Sequence, residues 1–489
     1  MVHSQTGIGQ RIPGRSLADG LSRRQFLQSA TATTAALVIA GCLGDDEPEE
    51  ETAPGVPSSF EDREQLRSRA REYIQLLADG EYGTAYEWLD EQAANQTAQG
   101  GIERVWTGIV GEDAEIDSFE TVSFFGNEMG INQYLIRATI GGDRYQFLVG
   151  FRENGVAIFA PTPIGKWTPP EYVDEDSFVE EELSLDTPLD CELGATLTVP
   201  DTEGEVPGVV IVHGNGPSGR NGVAGPNRTY KELAWGLASE GIAVLRYDKR
   251  SYACEPDFAD ATIDDIVTDD ALTAISALRD HDSVADDRVY VAGHSFGGAL
   301  APRIARQDGN LTGVVMLAPG PAESLPDLIV RQTEHLLDLG SALVPESQRQ
   351  EQLETVREEA EQMRTLDIGD DEVVRFGGRE WHRSLQEYHQ TATAANLDIP
   401  LLLIQGGQDW QVTVENDLPI WRDALEEKRN ATIEVYDNLN HMFQPSSGRR
   451  TRAEYLQDRP VDERVIDTIS TFVVADVEQP PARIPVVGG

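Results

Sequence analysis

An α/β fold is predicted for the larger part of this chain, and three observations carry it. From Phe178 onward, short apolar runs ("GVVIVHG", "IAVLRYD", "RVYVAGHS", "GVVMLAPG", "PLLLIQGG", "TIEVYD") alternate with helix-like stretches. That alternation calls for a mostly parallel sheet with helices on both faces. Between Gly320 and Leu397 it stops, and a charged helical segment including "ESQRQEQLETVREEAEQMRT" takes its place. The segment is too long for a connection in a compact sheet, so residues 321–397 are read as a helical cap within an α/β region spanning 170–475. Ahead of this region, residues 60–165 show helical spacing followed by strand-like runs parted by Gly, Asn and Asp, the pattern of a small α+β domain.

The elements before that domain read as an address. "SRRQFL" sets Arg23 beside Arg24, the modest apolar run "ATATTAALVIAG" follows, and small residues lead directly to Cys42. The run is short and rich in Ala and Thr, unlike a spanning helix. Residues 1–42 resemble a twin-arginine export signal joined to a lipobox. The resemblance implies a lipidated Cys42 and a lipid anchor at the outer face of the cell membrane. Residues 43–59, acidic and Pro-rich, then form a solvated spacer.

Within residues 60–165, "REQLRSRAREYIQLLADGEYGTAYEWLDEQ" has helical periodicity broken at Gly80, and "FETVSFFG", "NQYLIRATIG", "RYQFLVGF" and "GVAIFAP" follow as strands. The phrase "LLADGEYGTAYEWLD" resembles the opening helices of NTF2-like domains, which implies a curved sheet over helices. Without a cluster of reactive residues, a binding or spacing role is expected here. Beyond a Pro- and acid-rich join, "FVEEELSL" and "CELGATLTVP" read as an entry hairpin, and residues 476–489 form a tail. Cys191 and Cys254 either pair in an oxidising exterior or remain two buried thiols. Sequons begin at Asn95, Asn227, Asn310 and Asn430, with chance occurrence as the default reading.

Charge excludes one class of partner. The 489 residues carry 85 acidic against 39 basic side chains, a formal net of −46, and only four of the bases are Lys. Such a field repels nucleic-acid phosphates. The apolar runs are intact, so disorder does not account for the excess; self-repulsion screened by high salt does. In this respect the chain resembles proteins of extremely halophilic archaea, and it is expected to unfold on dialysis into low salt.

Chemistry concentrates in a few places. "VYVAGHSFGGAL" holds Ser295 in G-x-S-x-G between Gly293 and Gly297, after an apolar run and before a helical one. A sharp strand-to-helix turn there lifts the hydroxyl above the sheet, and small flanking residues permit it. A serine hydroxyl needs a base and an orienting acid. "PLLLIQGGQDW" supplies Asp409 past a strand end, and "VYDNLNHMF" supplies His441, one of eight histidines, in a late loop. The order Ser295, Asp409, His441 is that of an α/β triad. His294 reads as structural, His213 as a shaper of the loop that follows it, and the Asp cluster of "TIDDIVTDD" as a solvated helix face. No grouping has zinc spacing, and neither metal nor cofactor is expected.

The stretch "HGNGPSGRNG" mimics a phosphate loop but offers Arg220 and Asn221 where Lys and Ser or Thr are needed, and no helix follows at once. Arg220 either braces this loop against acidic groups or clamps a substrate carboxylate. Together, "HGNGPSGRN", "AWGLASEGIAVLRYDKRS" and "GHSFGGALAPRIA" resemble the α/β-hydrolase superfamily, and within it bacterial and archaeal carboxylesterases that carry an NTF2-like domain ahead of the hydrolase. The resemblance covers residues 178–474. It implies hydrolysis of small carboxylic esters through an acyl-enzyme: Ser295 attacks, His441 is base then acid, and Asp409 orients His441. The N–H groups of Phe296 and Asn215, with Gly216 as the alternative to Asn215, donate to the oxyanion. Rival readings on the same triad are a thioesterase, a lactone hydrolase or a serine peptidase. A surface binding protein with a vestigial hydrolase is the rival from another class. Oligomeric state is not legible.

Overall fold

The computed structural model describes residues 60–475 apart from 99, 113, 188–190, 255 and 341–344. Arg23, Arg24, Cys42, the spacer 43–59 and the tail 476–489 therefore lie outside the described residues.

The first unit opens with helices α1 (Phe60–Ala78), α2 (Tyr82–Glu87), α3 (Glu91–Gln96) and α4 (Gly101–Ile109). Gly80, at φ 75°, ends the first helical stretch as a residue free to adopt a left-handed conformation. Asp90 caps α3 by accepting from the Ala93 N–H at 2.6 Å. Strands β1 (Ile116–Glu128), β2 (Ile131–Ile140), β3 (Asp143–Arg152) and β4 (Gly155–Ile164) follow as an antiparallel meander in sequential order. Tyr73 from α1, Trp106 from α4 and Phe147 and Phe151 from β3 fill its core, with Trp106 stacked on Phe147 at 5.8 Å.

The second unit begins with the antiparallel hairpin β5 (Phe178–Asp186) and β6 (Glu192–Pro200). It continues with β7 (Val206–Val212), a small hairpin of β8 (Val223–Ala224) and β9 (Asn227–Arg228), α5 (Thr229–Ser239), β10 (Ala243–Tyr247), the short α6 (Arg250–Ala253) and α7 (Asp269–Arg279). β11 (Val284–His294), α8 (Phe296–Asp308) and β12 (Gly313–Leu317) lead to the cap helices α9 (Leu325–Leu339), α10 (Glu346–Thr365), α11 (Arg379–Gln386) and α12 (Gln390–Ala395). The chain then returns through β13 (Leu401–Gly406), α13 (Leu418–Leu425), β14 (Ala431–Tyr436) and α14 (Glu463–Ala475). The eight-stranded sheet runs β14-β13-β12-β11-β7-β10-β6-β5, parallel from β14 to β10 and antiparallel across the last two pairings.

Why the strands read as unbroken apolar runs is plain from their two faces. Val210 and Val212 of β7 join a core with α7 and α8, while Val209 and Ile211 join another with α5 and α14. Both faces are covered, so alternate positions must all be apolar. The interruption of this pattern at residues 325–395 is the run of helices α9 to α12, of which Leu325, Leu328 and Ile329 line a cavity together with Ser295.

Three sequence readings change in detail. Cys191 and Cys254 form a disulfide with Cα atoms 6.3 Å apart. The Asp cluster is not uniformly a solvated face: Asp264 pairs with Arg303 at 2.6 Å, and Asp270 is buried against an equally buried Arg250, which donates through Nε at 3.2 Å. Helical spacing could not reveal these partners because both lie on other elements. Asn227 is buried, and its amide donates to the carbonyls of Tyr455 and Gln457 at 2.8 and 2.7 Å, so its side chain serves the fold rather than a glycan.

Candidate active site

The turn at Ser295 follows from its glycines. A Cβ on Gly293 would collide with the Gly297 carbonyl, and one on Gly297 with the carbonyls of Val212 and His213. With those positions bare, β11 turns straight into α8, and Ser295 takes φ 56° and ψ −118°, a conformation costly for any side chain. Its N–H donates to Leu317 O at 2.8 Å and its carbonyl accepts from Gly320 at 3.1 Å. The strained residue is thus held by the neighbouring strand end, half-buried at the top of the sheet.

Asp409 lies just beyond β13 and His441 beyond β14. His441 Nδ1 and Asp409 Oδ2 are 2.7 Å apart. Asp409 is fully engaged: Oδ1 accepts from the N–H groups of Gln411 and Val412 at 2.8 and 3.0 Å, and Oδ2 also accepts from Gln405 Nε2 at 3.1 Å. Four hydrogen-bond partners thus surround the buried carboxylate and fix its orientation. The loop bearing His441 is shaped by Asn440, whose Oδ1 accepts from the N–H groups of Met442 and Gln444 at 2.9 and 3.1 Å.

His294, Tyr230 and Gly214 link this loop to the opposite one. A carbonyl can only accept, so His294 Nε2, 2.9 Å from His441 O, carries the proton. In the neutral ring Nδ1 is then the acceptor, and Tyr230 OH donates to it at 3.1 Å. The Tyr230 oxygen accepts in turn from the Gly214 N–H at 3.1 Å. Gly214 O accepts from the buried Lys249 Nζ at 2.8 Å. Burial lowers the Lys249 pKa to about 7, with Asp270 opposing the fall. Each backbone group of Gly214 is therefore fixed, and a Cβ on Gly214 would lie 3.2 Å from that of Ser295.

These bonds leave the N–H groups near the nucleophile unequally engaged. Gly216 N–H is taken by Asn215 Oδ1 at 3.0 Å and Gly214 N–H by Tyr230. Asn215 N–H is left free of a partner among the described residues, which favours Asn215 over Gly216. Phe296 opens α8, where the first N–H groups have no intrahelical acceptor. Ser295, Phe296 and Asn215 share a cavity of about 190 Å³.

The remaining singled-out residues support this arrangement. His213 is wedged edge-on between Tyr230 and Tyr247, with ring centroids at 5.1 and 5.0 Å. Arg220 binds Asp248 and Glu182 at 3.0 and 2.6 Å and donates to Ala195 O at 2.8 Å. It braces the loop, and the substrate-clamp reading falls away. Sequence reasoning did not find Tyr230, Lys249 or Gln405. Lys249 had one legible signal, its rarity among four lysines.

Burial holds the His213 and His294 pKa values down to about 3 and that of His382 to about 4. As pH falls below about 6.5 the unfolded chain takes up protons that the folded chain refuses until pH 3–4. Each ring then costs stability at up to ~1.4 kcal/mol per pH unit across that window, and the loss disappears above about 6.5. Side-chain ¹⁵N NMR at pH 5 is expected to find these three rings still neutral. A cationic His294 at that pH would break the hydrogen-bond assignment above.

The sheet order, the covering helices and the strained serine turn define an α/β-hydrolase fold. The family model described as serine aminopeptidase, S33, matches residues 209–444. Esterase EstD of Thermotoga maritima is 33% identical over 407 residues, covering 82% of this chain and 94% of that protein. Among solved structures, the Pyrococcus furiosus esterase Pf2001 is 19% identical with a TM-score of 0.40, covering 64% of this chain and 95% of that one. Est1E of Butyrivibrio proteoclasticus with bound ferulic acid is 17% identical with a TM-score of 0.40, covering 61% of this chain and 100% of that one. The chain belongs to the α/β-hydrolase esterase family, on the strength of the Thermotoga relative, and is a carboxylesterase-type hydrolase.

Proposed function

We propose that this protein hydrolyses small carboxylic esters through an acyl-enzyme formed on Ser295. His441 takes the Ser295 proton as Oγ attacks the carbonyl carbon, then gives it to the departing alcohol. Water deacylates the enzyme by the same route in reverse. Asp409 holds the Nδ1–H tautomer and stabilises the imidazolium, and the N–H groups of Asn215 and Phe296 receive the oxyanion. The observation that supports this reading is the buried Asp409–His441 hydrogen bond, together with the hydrogen bond from His294, next to Ser295 in the chain, to the His441 carbonyl.

The finer identity belongs to the same proposal. Residues 60–165 are read as an NTF2-like domain, 170–475 as the hydrolase and 321–397 as its cap. Export by a twin-arginine signal and lipid anchoring at Cys42 are supported by residues 1–42, and a halophilic origin by the net charge of −46. Among the described residues no helix is long and apolar enough to cross a membrane. The family description keeps a peptidase as second reading. Rates in molar salt on p-nitrophenyl acetate and butyrate, matching thioesters and aminoacyl anilides separate the two. Esters are expected to be turned over fastest, with activity lost on dialysis into low salt; faster anilide cleavage would make the protein a peptidase.

A further inference from the structure

The catalytic cavity has a wall that does not come from the hydrolase. Apolar residues of α9, among them Leu325, Leu328 and Ile329, form one side. The end of β1 in the first domain, Phe125 to Glu128, also lines it. Phe125 is 36% exposed, one of the few large apolar side chains left so open among the described residues. Its ring lies 3.4 Å from where a Cβ on Gly216 would sit, against the loop that carries Asn215.

Pairing along β1 explains how the ring comes to face the cavity. Phe124 opposes Tyr134 and Gly126 opposes Gln133, so Phe125 is the extra residue of a β-bulge. A bulge bends the strand and re-aims one side chain. Phe124 packs the other way, onto Phe258 of the hydrolase at 5.2 Å. The bulge is pinned beyond this point. Asn127 and Arg375 exchange two backbone hydrogen bonds, at 2.9 and 2.7 Å. Gly126, at φ 148°, is required because a Cβ there would strike the Arg375 carbonyl. Buried Arg375 pairs with Glu128 of β1 at 2.5 Å and Glu359 of α10 at 2.8 Å, and Glu359 accepts from the Met129 N–H.

We propose that the first domain is the specificity wall of the active site, and that Phe125 sets the size of the ester group admitted beside Ser295. The assignment rests on the esterase reading above. The cavity's volume is about 190 Å³, and the Phe125 side chain is part of its lining beside Ser295.

Two ester series in molar salt test the proposal, one lengthening the acyl chain on p-nitrophenol and one enlarging the alcohol of an acetate. In one of the two, Phe125→Ala is expected to raise the kcat/KM ratio of large to small substrate by about 10-fold or more, the usual scale for methylene-sized changes in a pocket. Phe125→Leu moves it the same way by less, and Phe125→Trp moves it the opposite way. Three variants keep the test readable if one fails to fold, and a purely structural role would lower all substrates in parallel. Ratios unchanged in both series, or parallel losses, overturn the role of Phe125 while wild-type turnover leaves the esterase reading standing. Absence of wild-type turnover on every ester overturns both.

Discussion

Ser295→Ala is expected to lower ester turnover by about 10⁴-fold or more, with the thermal transition in molar salt unchanged. The loss is large because the acyl-enzyme cannot form without Oγ, and positioned N–H donors alone recover only a small part of the rate. The fold is spared because its demands on residue 295 are made of the backbone, the bonds to Leu317 and Gly320. An alanine pays the same conformational cost at φ 56°. Measured kcat/KM on p-nitrophenyl butyrate checks the first half and a melting curve the second. Turnover within 10-fold of the wild type would remove Ser295 from the mechanism.

Asp409→Asn is expected to cost about 10⁴-fold in kcat near neutral pH, the scale known for inverting a triad tautomer. The amide has a defined orientation here. The Gln411 and Val412 N–H groups require an acceptor, so the Asn oxygen must occupy the Oδ1 position. Its NH₂ then points at His441 Nδ1 and at Gln405 Nε2, where the carboxylate accepted two hydrogen bonds. A donor facing Nδ1 drives the imidazole proton to Nε2, and that nitrogen can no longer take the Ser295 proton. A loss of less than 10-fold near neutral pH would mean that Asp409 does not orient His441.

What the residues revealed in advance divides along physical lines. Gly293, Ser295 and Gly297 were legible because a strand-to-helix turn is local and the glycines answer contacts within a few residues or on the adjacent strand. Asp409 and His441 were legible from their order, as each follows a strand of the alternating series. Asp270 was misread because its partner Arg250 lies on another helix, and Arg220 stayed ambiguous until Asp248 and Glu182 came to either side of it. Phe125 was invisible: in "VSFFGN" either phenylalanine could face inward, and a bulge is a property of two paired strands, not of one. The tie from Gly214 through Tyr230 and His294 to the His441 loop was hidden for the same reason.

The bridge between the first domain and the cap has a bearing on how the molecule matures. Met129 and Glu359, joined across it, stand 230 residues apart in the chain. Contacts of that span close late, since loop entropy must be overcome before they form, and domains tend to fold in order of synthesis. The first domain can therefore complete its meander while the cap has yet to be made, and wait as a template against which the residue 375 loop sets. On the proposal above, the wall beside Ser295 is complete only once this long-range bridge has closed.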